Sequence, residues 1–99
     1  MMKQFMVEIE LPDVLSEDFI ALIPKQRKQV DSLMTEGKIY LYSLSFDRSR
    51  LWVGIRAANE VEVWNILYTF PLIEYMNIDI HELAFHNTSK TGIFELSLN

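Results

Sequence analysis

Residues 3–10, KQFMVEIE, place Phe5, Val7 and Ile9 on one side of an extended chain and Met6, Glu8 and Glu10 on the other. That period of two predicts a strand with one buried face. Pro12 and Asp13 end it, and Ser16 followed by Glu17 and Asp18 reads as the cap and acidic first turn of a helix. The helix is expected to reach about Glu36, with Phe19, Ile20, Ile23, Val30, Leu33 and Met34 on its apolar stripe. Pro24 should kink its first turns or set them apart as a short helix, and Gly37 should close it. Two β-rich runs follow, KIYLYSLSF (38–46) and SRLWVGIRA (49–57), with Asp47 and Arg48 between them, a hairpin by length and composition. In the second run Leu51, Val53 and Ile55 share one face, and Trp52, Gly54 and Arg56 share the other. Asn59, with Glu62 three residues on, resembles a capping box for a second helix striped by Val61, Trp64, Leu67 and Tyr68 and stopped by Pro71. A last strand is expected over about Asn77 to Phe85.

The order β-α-β-β-α-β predicts an α+β fold, the ferredoxin-like split-βαβ arrangement, with an antiparallel sheet and both helices on one of its faces. Two helices cannot cover both faces. In the run after Gly37, Ile39 and Leu41 lie on one side and Tyr40, Tyr42, Leu44 and Phe46 on the other, so both sides are apolar. A strand of that kind calls for a second layer. Its simplest supplier is another copy of the chain, giving a homodimer packed sheet on sheet as a barrel. Residues 1–88 form the one expected domain. Residues 89–99 are a tail, whose alternating run after Gly92 could add an edge strand, here or on a neighbour.

Composition narrows the function classes. With 14 acidic against 9 basic residues, the net charge of −5 argues against a phosphate-binding surface, so no nucleic-acid partner is expected. Lys25, Arg27 and Lys28, the only local basic cluster, read as a solvated helix face. Cysteine is absent, which removes disulfides, thiolate nucleophiles and Cys-based metal sites. Glu8 and Glu10 break up any signal-peptide core, and no apolar run has a membrane-spanning length, so a soluble cytoplasmic protein without a membrane partner is expected.

The candidate chemistry is sparse. His81 shares a strand face with Asp79 and could be a general base oriented by that carboxylate, or simply a surface or interface histidine. Glu8 and Arg56 are expected to face each other across neighbouring strands, either as a structural ion pair or as proton carrier and carboxylate holder. Tyr40, Tyr42, Trp52 and Tyr75 suffice to line a small apolar pocket with hydroxyl handles, although packing is the commoner use of such side chains. His81 and His86 are five apart and have no third ligand spaced with them, so no metal site is predicted. There is no glycine-rich phosphate loop or nucleophile elbow. General acid–base proton transfer is the chemistry this inventory allows.

FMVEIELP, LMTEGKIY and above all FPLIEYMNIDIHELAFH, with Pro71, Leu72, Tyr75, Met76 and Ile78, resemble the muconolactone isomerase family. The resemblance spans roughly the first nine-tenths of the chain, and His86 matches a histidine closing the family's last strand. It implies ferredoxin-like protomers paired into a dimeric α+β barrel, with rings of dimers as a higher assembly. It also implies a cofactor-free isomerase that moves a proton within a small unsaturated lactone or carboxylate. Residues and resemblance together make His81, Tyr75 and Glu8 the catalytic candidates, and of these the family motif carries only Tyr75. Arg56, Trp52, Tyr40 and Tyr42, read from the residues, and His86, carried by the family motif, are the substrate-binding candidates. The resemblance further implies an acid on the first helix near the position held by Gln26, and Trp and Arg in the strand after Gly37 where this chain has IYLYSLSF. Two alternatives stay open: a non-catalytic dimeric barrel serving as a ligand-binding or interaction module, and, more remotely, a cofactor-independent monooxygenase.

Overall fold

The alternation of residues 3–10 becomes strand β1 (Lys3–Glu10), the first element of a computed structural model that describes residues 1–87. Phe5, Val7 and Ile9 are buried, as their spacing predicts. Helix α1 (Glu17–Thr35) begins at Ser16, whose Oγ accepts a hydrogen bond from the Phe19 amide at 3.1 Å. It ends in a Schellman arrangement: the Lys38 amide donates to the Leu33 carbonyl, the Gly37 amide to the Met34 carbonyl, and Gly37 has φ 78°. Pro24 neither splits the helix nor shortens it. It lies on the exposed side, where water can satisfy the Ile20 carbonyl that it leaves without a donor. The buried seam is Phe19, Gln26, Val30 and Leu33, with Ile23 half-buried, while Ile20 and Met34 lie on the exposed flanks.

Strands β2 (Ile39–Leu44) and β3 (Arg50–Ala57) form the predicted hairpin, but the connection is wider than Asp47-Arg48. It occupies residues 45–49. Asp47 Oδ1 accepts from Ser45 Oγ at 2.7 Å, from Ser49 Oγ at 2.7 Å and from the Ser49 amide at 3.0 Å. A turn knotted on one carboxylate oxygen suits residues that cannot supply the Asn-Gly geometry of a two-residue loop. Arg48 takes the left-handed conformation there, φ 64°.

Helix α2 (Glu60–Leu67) is capped by Asn59 Oδ1, which accepts from the Glu62 amide at 3.0 Å. Glu62 returns to the amide of Ala58, one residue upstream of the reciprocal bond expected of a capping box. The stripe of α2 differs from expectation. Val63, Ile66 and Leu67 are buried, Val61 and Tyr68 are largely exposed, and Trp64 and Tyr68 lean on each other with ring centroids 5.7 Å apart. Six apolar residues surround this short helix, so periodicity alone could not choose its inner face. The helix also stops before Pro71: tight turns carry the chain through Phe70 and a 3₁₀ turn (Ile73–Tyr75) into strand β4 (Asn77–Glu82). β4 is shorter than predicted because its partner β1 begins at Lys3; one further bond, from the Leu83 amide to the Gln4 carbonyl, closes the pairing.

The strands assemble in the order β2-β3-β1-β4, all neighbours antiparallel, with both helices on one face. This is the ferredoxin-like α+β arrangement. One core joins Phe5, Val7 and Ile9 to Val53 and Ile55 of β3, Val30 and Leu33 of α1, and Val63 and Leu67 of α2. The other sheet face carries Gln4, Met6, Glu8, Trp52, Gly54, Arg56, Asp79 and His81. A bulge in β2 resets the two-sided pattern seen in IYLYSLSF: Ile39 pairs with Ile55, Leu41 with Gly54, and Tyr42 with Val53. Ile39, Tyr42 and Leu44 therefore join the helix side, and Tyr40 and Leu41 both turn to the open face. The tail, with its suggested edge strand, lies outside the described residues.

Candidate functional site

Two places bring polar side chains together, one on each face of the sheet. The first is a cavity of about 300 Å³ between α1 and the β2 side of the sheet. Phe19, Ile23, Leu51, Leu72 and Met76 give it apolar walls. Its polar end is Gln26, 3% exposed, together with Tyr42. The Leu72 amide donates to Gln26 Oε1 at 3.2 Å, and Gln26 Nε2 donates to the Tyr42 hydroxyl oxygen at 3.3 Å. The amide orientation follows from chemistry, because only Oε1 can accept from the Leu72 N–H. Tyr42 must therefore accept from Gln26, which leaves its own O–H free to donate toward the cavity. Burial raises the Tyr42 pKa above the usual phenol value, outweighing the Gln26 hydrogen bond and the nearby Arg27 charge, so the hydroxyl stays protonated. Arg27 and Arg48, both exposed, line the mouth.

The second place lies on the open face, where β1 and β4 pair. Glu8 stands directly opposite Asp79, and His81 lies two residues along the same face of β4. His81 Nε2 is 3.2 Å from Asp79 Oδ2, and one ligand atom from each of Glu8, Asp79 and His81 falls within 4.8 Å of the others. These three are the residues that could hold a metal ion. His81 and Asp79 are mostly exposed, and Arg50 Nη1 already sits 3.0 Å from Glu8 Oε2. The group is thus a half-solvated charge network of two carboxylates, a guanidinium and an imidazole.

Its geometry corrects the expected Glu8–Arg56 pair. The β1–β3 register sets Glu8 opposite Trp52 and Arg56 opposite Gln4, and Arg50, diagonal to Glu8, takes the ion pair. Arg56 instead lies with its Cζ 5.7 Å from the Tyr40 ring centroid. Tyr40 lies across Gly54, with His86 against its other side at 4.8 Å between ring centroids. Its hydroxyl is buried without a hydrogen-bond partner among the described residues, and burial raises its pKa, Arg56 opposing.

The eight site residues expected from sequence do not form one site. Glu8, His81, Trp52, Arg56 and Tyr40 belong to the open face, with His86 beside Tyr40. Tyr42 alone lines the helix-side cavity. Tyr75 is on that side too, its ring edge-on to Phe19 at 5.2 Å, so the sheet separates it from His81. The sequence reading did not place Arg27, Arg48 or Arg50 in a site. The signal for Gln26 was its spacing, three residues from Ile23 and four from Val30 on the buried seam of α1.

A four-stranded ferredoxin-like sheet with both helices on one face and a ligand-sized cavity beneath the first helix defines a small α+β protein with a pocket between helix and sheet. Residues 3–89 match the family model described as Muconolactone delta-isomerase, and the chain belongs to that family. No curated protein matches the chain. No helix among the described residues is long and apolar enough to cross a membrane.

Proposed function

We propose that this protein binds a small, partly unsaturated lactone or carboxylate in the cavity between α1 and the sheet, and works as a homodimer whose open sheet faces pack together. The observation that carries the reading is the cavity itself: about 300 Å³, apolar walls, and a polar end held in place by the Gln26–Tyr42 hydrogen bond. That volume lies at the small end of ligand sites and suits a ring of five or six atoms with a short side chain. Support for the dimer comes from Met6, Leu41 and Trp52, half-buried apolar side chains on the sheet face that no helix covers. Among the described residues lining the cavity there is no Asp, Glu or His. Gln26 stands where the family resemblance implies an acid, and an amide cannot take a proton from carbon. Binding without turnover is therefore the function this cavity supports best.

A second reading has its own observation. Glu8, Asp79 and His81 hold their ligand atoms within 4.8 Å, close enough for a cofactor-free isomerase in which Glu8 or His81 moves the proton at the dimer interface. One experiment separates the two. Muconolactone is titrated into methyl-labelled protein in D2O, with deuterium uptake into the ligand followed alongside. The cavity reading expects saturable shifts at Leu72 and Met76 and no uptake. Shifts confined to Met6 and Leu41, with uptake abolished by His81→Ala, would replace it with the isomerase. Light scattering that finds a monomer at micromolar concentration would remove the dimer from the proposal.

A further inference from the structure

The polar side chains that line the cavity are rich in donors. Gln26 uses its carbonyl on the Leu72 amide and one of its two N–H groups on Tyr42. The Tyr42 hydroxyl, accepting from Gln26, presents its proton. Arg27 and Arg48 present guanidinium N–H groups, which donate and never accept. Neither guanidinium makes an ion pair with another described residue, although the chain has a net charge of −5 and Glu8, Asp79, Glu82 and Glu36 all have partners. Arg27 is also close enough to Tyr42 for its charge to act on the phenol. The placement of Arg48 is built into the hairpin. The Asp47 carboxylate ties Ser45 to Ser49 across it, and the Arg48 amide donates to the Ser45 carbonyl at 2.9 Å, fixing the left-handed residue beside the mouth.

From these observations we infer that Arg27, Arg48 and Tyr42 form a donor-rich clamp that selects a carboxylate anion, with the apolar body of the ligand inside the cavity and its carboxylate at the mouth. The inference rests on the cavity reading above and adds to it the charge class of the ligand and the residues that set it. A carboxylate supplies four acceptor lone pairs and a full negative charge, which matches two unpaired cations and one hydroxyl donor. A neutral ester of the same shape supplies a single good carbonyl acceptor and leaves both cations unmatched. Chain elements far apart in sequence carry the charge: the middle of α1 and the β2–β3 turn.

The test compares muconolactone with its methyl ester, two probes of nearly equal shape and different charge, binding to the full chain with methyl shifts at Leu72 and Met76 as the readout. The acid is expected to bind about tenfold more tightly than the ester, with the ratio falling as salt is raised because the clamp is at the surface. In an Arg27→Gln/Arg48→Gly variant the ratio should fall to about one while the ester binds as before. Arg48→Gly is the useful half of that pair. Glycine accepts φ 64° without strain, so the variant should fold at least as stably as the parent, and a purely structural role for Arg48 predicts an unchanged ratio. Equal binding of acid and ester by the unaltered protein overturns the clamp and leaves the cavity reading standing. A preference that survives in the double variant overturns the assignment to these arginines. Absence of cavity shifts with either probe overturns the cavity reading and the clamp with it.

Discussion

Gln26 and Tyr42 meet at 3.3 Å beneath the first helix, and the buried amide hands its NH2 to a phenol while its oxygen holds the Leu72 backbone. This contact ties α1, β2 and the turn after α2 together at Gln26, the one buried polar residue among those described. Gln26→Leu should destabilise the protein by about 1–3 kcal/mol, because the buried Leu72 N–H then has no acceptor. Gln26→Glu tests the chemistry of the position. A carboxylate can accept from Leu72, but its charged form is desolvated and its folded-state pKa should be raised. The sign follows: the variant is nearest the parent in stability below the unfolded glutamate value of about 4.3, and loses stability as pH rises through the raised folded value. Urea denaturation of both proteins across pH 4 to 8 measures the gap, which should widen with pH and then level off.

Asp47 gives the opposite pH signature. Hydrogen bonds from the Ser49 amide and from the Ser49 and Ser45 hydroxyls hold its pKa down from 3.8 to about 2. A depressed carboxylate contributes stability above its unfolded value and loses it as pH falls through the folded one. The turn at residues 45–49 should therefore stay closed to below pH 4 and open between about pH 4 and 2, the two values that bracket the shift. In Asp47→Asn that pH dependence should be missing. Carboxyl-carbon NMR reads the titration directly, and a midpoint near 4 would show that the serine network does not form in solution.

His81 tests the open-face network. It is more than half exposed and its partner Asp79 more so, so His81→Ala should change stability by no more than about 0.5 kcal/mol. Glu8→Gln, which breaks the better-shielded contact to Arg50, should cost no more than about 1 kcal/mol. Neither change should weaken ligand binding in the cavity, because the sheet lies between. A loss of binding in either variant, measured by calorimetry, would move the ligand to the open face.

What was legible in the sequence was mainly local. Ser16, Gly37 and Asn59 announce helix ends by chemistry acting within a few residues, and each is where it was read. Phe5, Val7 and Ile9 declare a face by period alone. The misreadings arose where tertiary pairing decides. Alternation put Glu8 and Arg56 on the same face, but the register that makes Arg50 the partner belongs to the sheet as a whole. The bulge that turns both Tyr40 and Leu41 outward reversed the phase of the rest of β2, and so brought Tyr42 into the cavity. Tyr75 and His81 stand six residues apart in a family-like stretch, yet a 3₁₀ turn followed by a strand sends them to opposite sides. The polar seam residue Gln26 could be placed by spacing, but its two partners come from 16 and 46 residues away.

The bulge also makes Gly54 the position on which the open face turns. A Cβ there would stand 2.7 Å from Tyr40 Cζ and 3.1 Å from Leu41 Cβ. The ring can swing aside, since it is the far end of a side chain, whereas Leu41 Cβ is fixed to the backbone of β2. Gly54→Ala should therefore lift Tyr40 off the sheet, away from Arg56 and His86, and cost about 1–3 kcal/mol through overpacking. Tyr40→Ala removes the obstruction, so the two substitutions should not add. In a double-mutant cycle of denaturation free energies, Gly54→Ala should cost at least about 1 kcal/mol less in the Tyr40→Ala background than in the parent. Additive effects would mean that the ring does not occupy the space over Gly54 in solution.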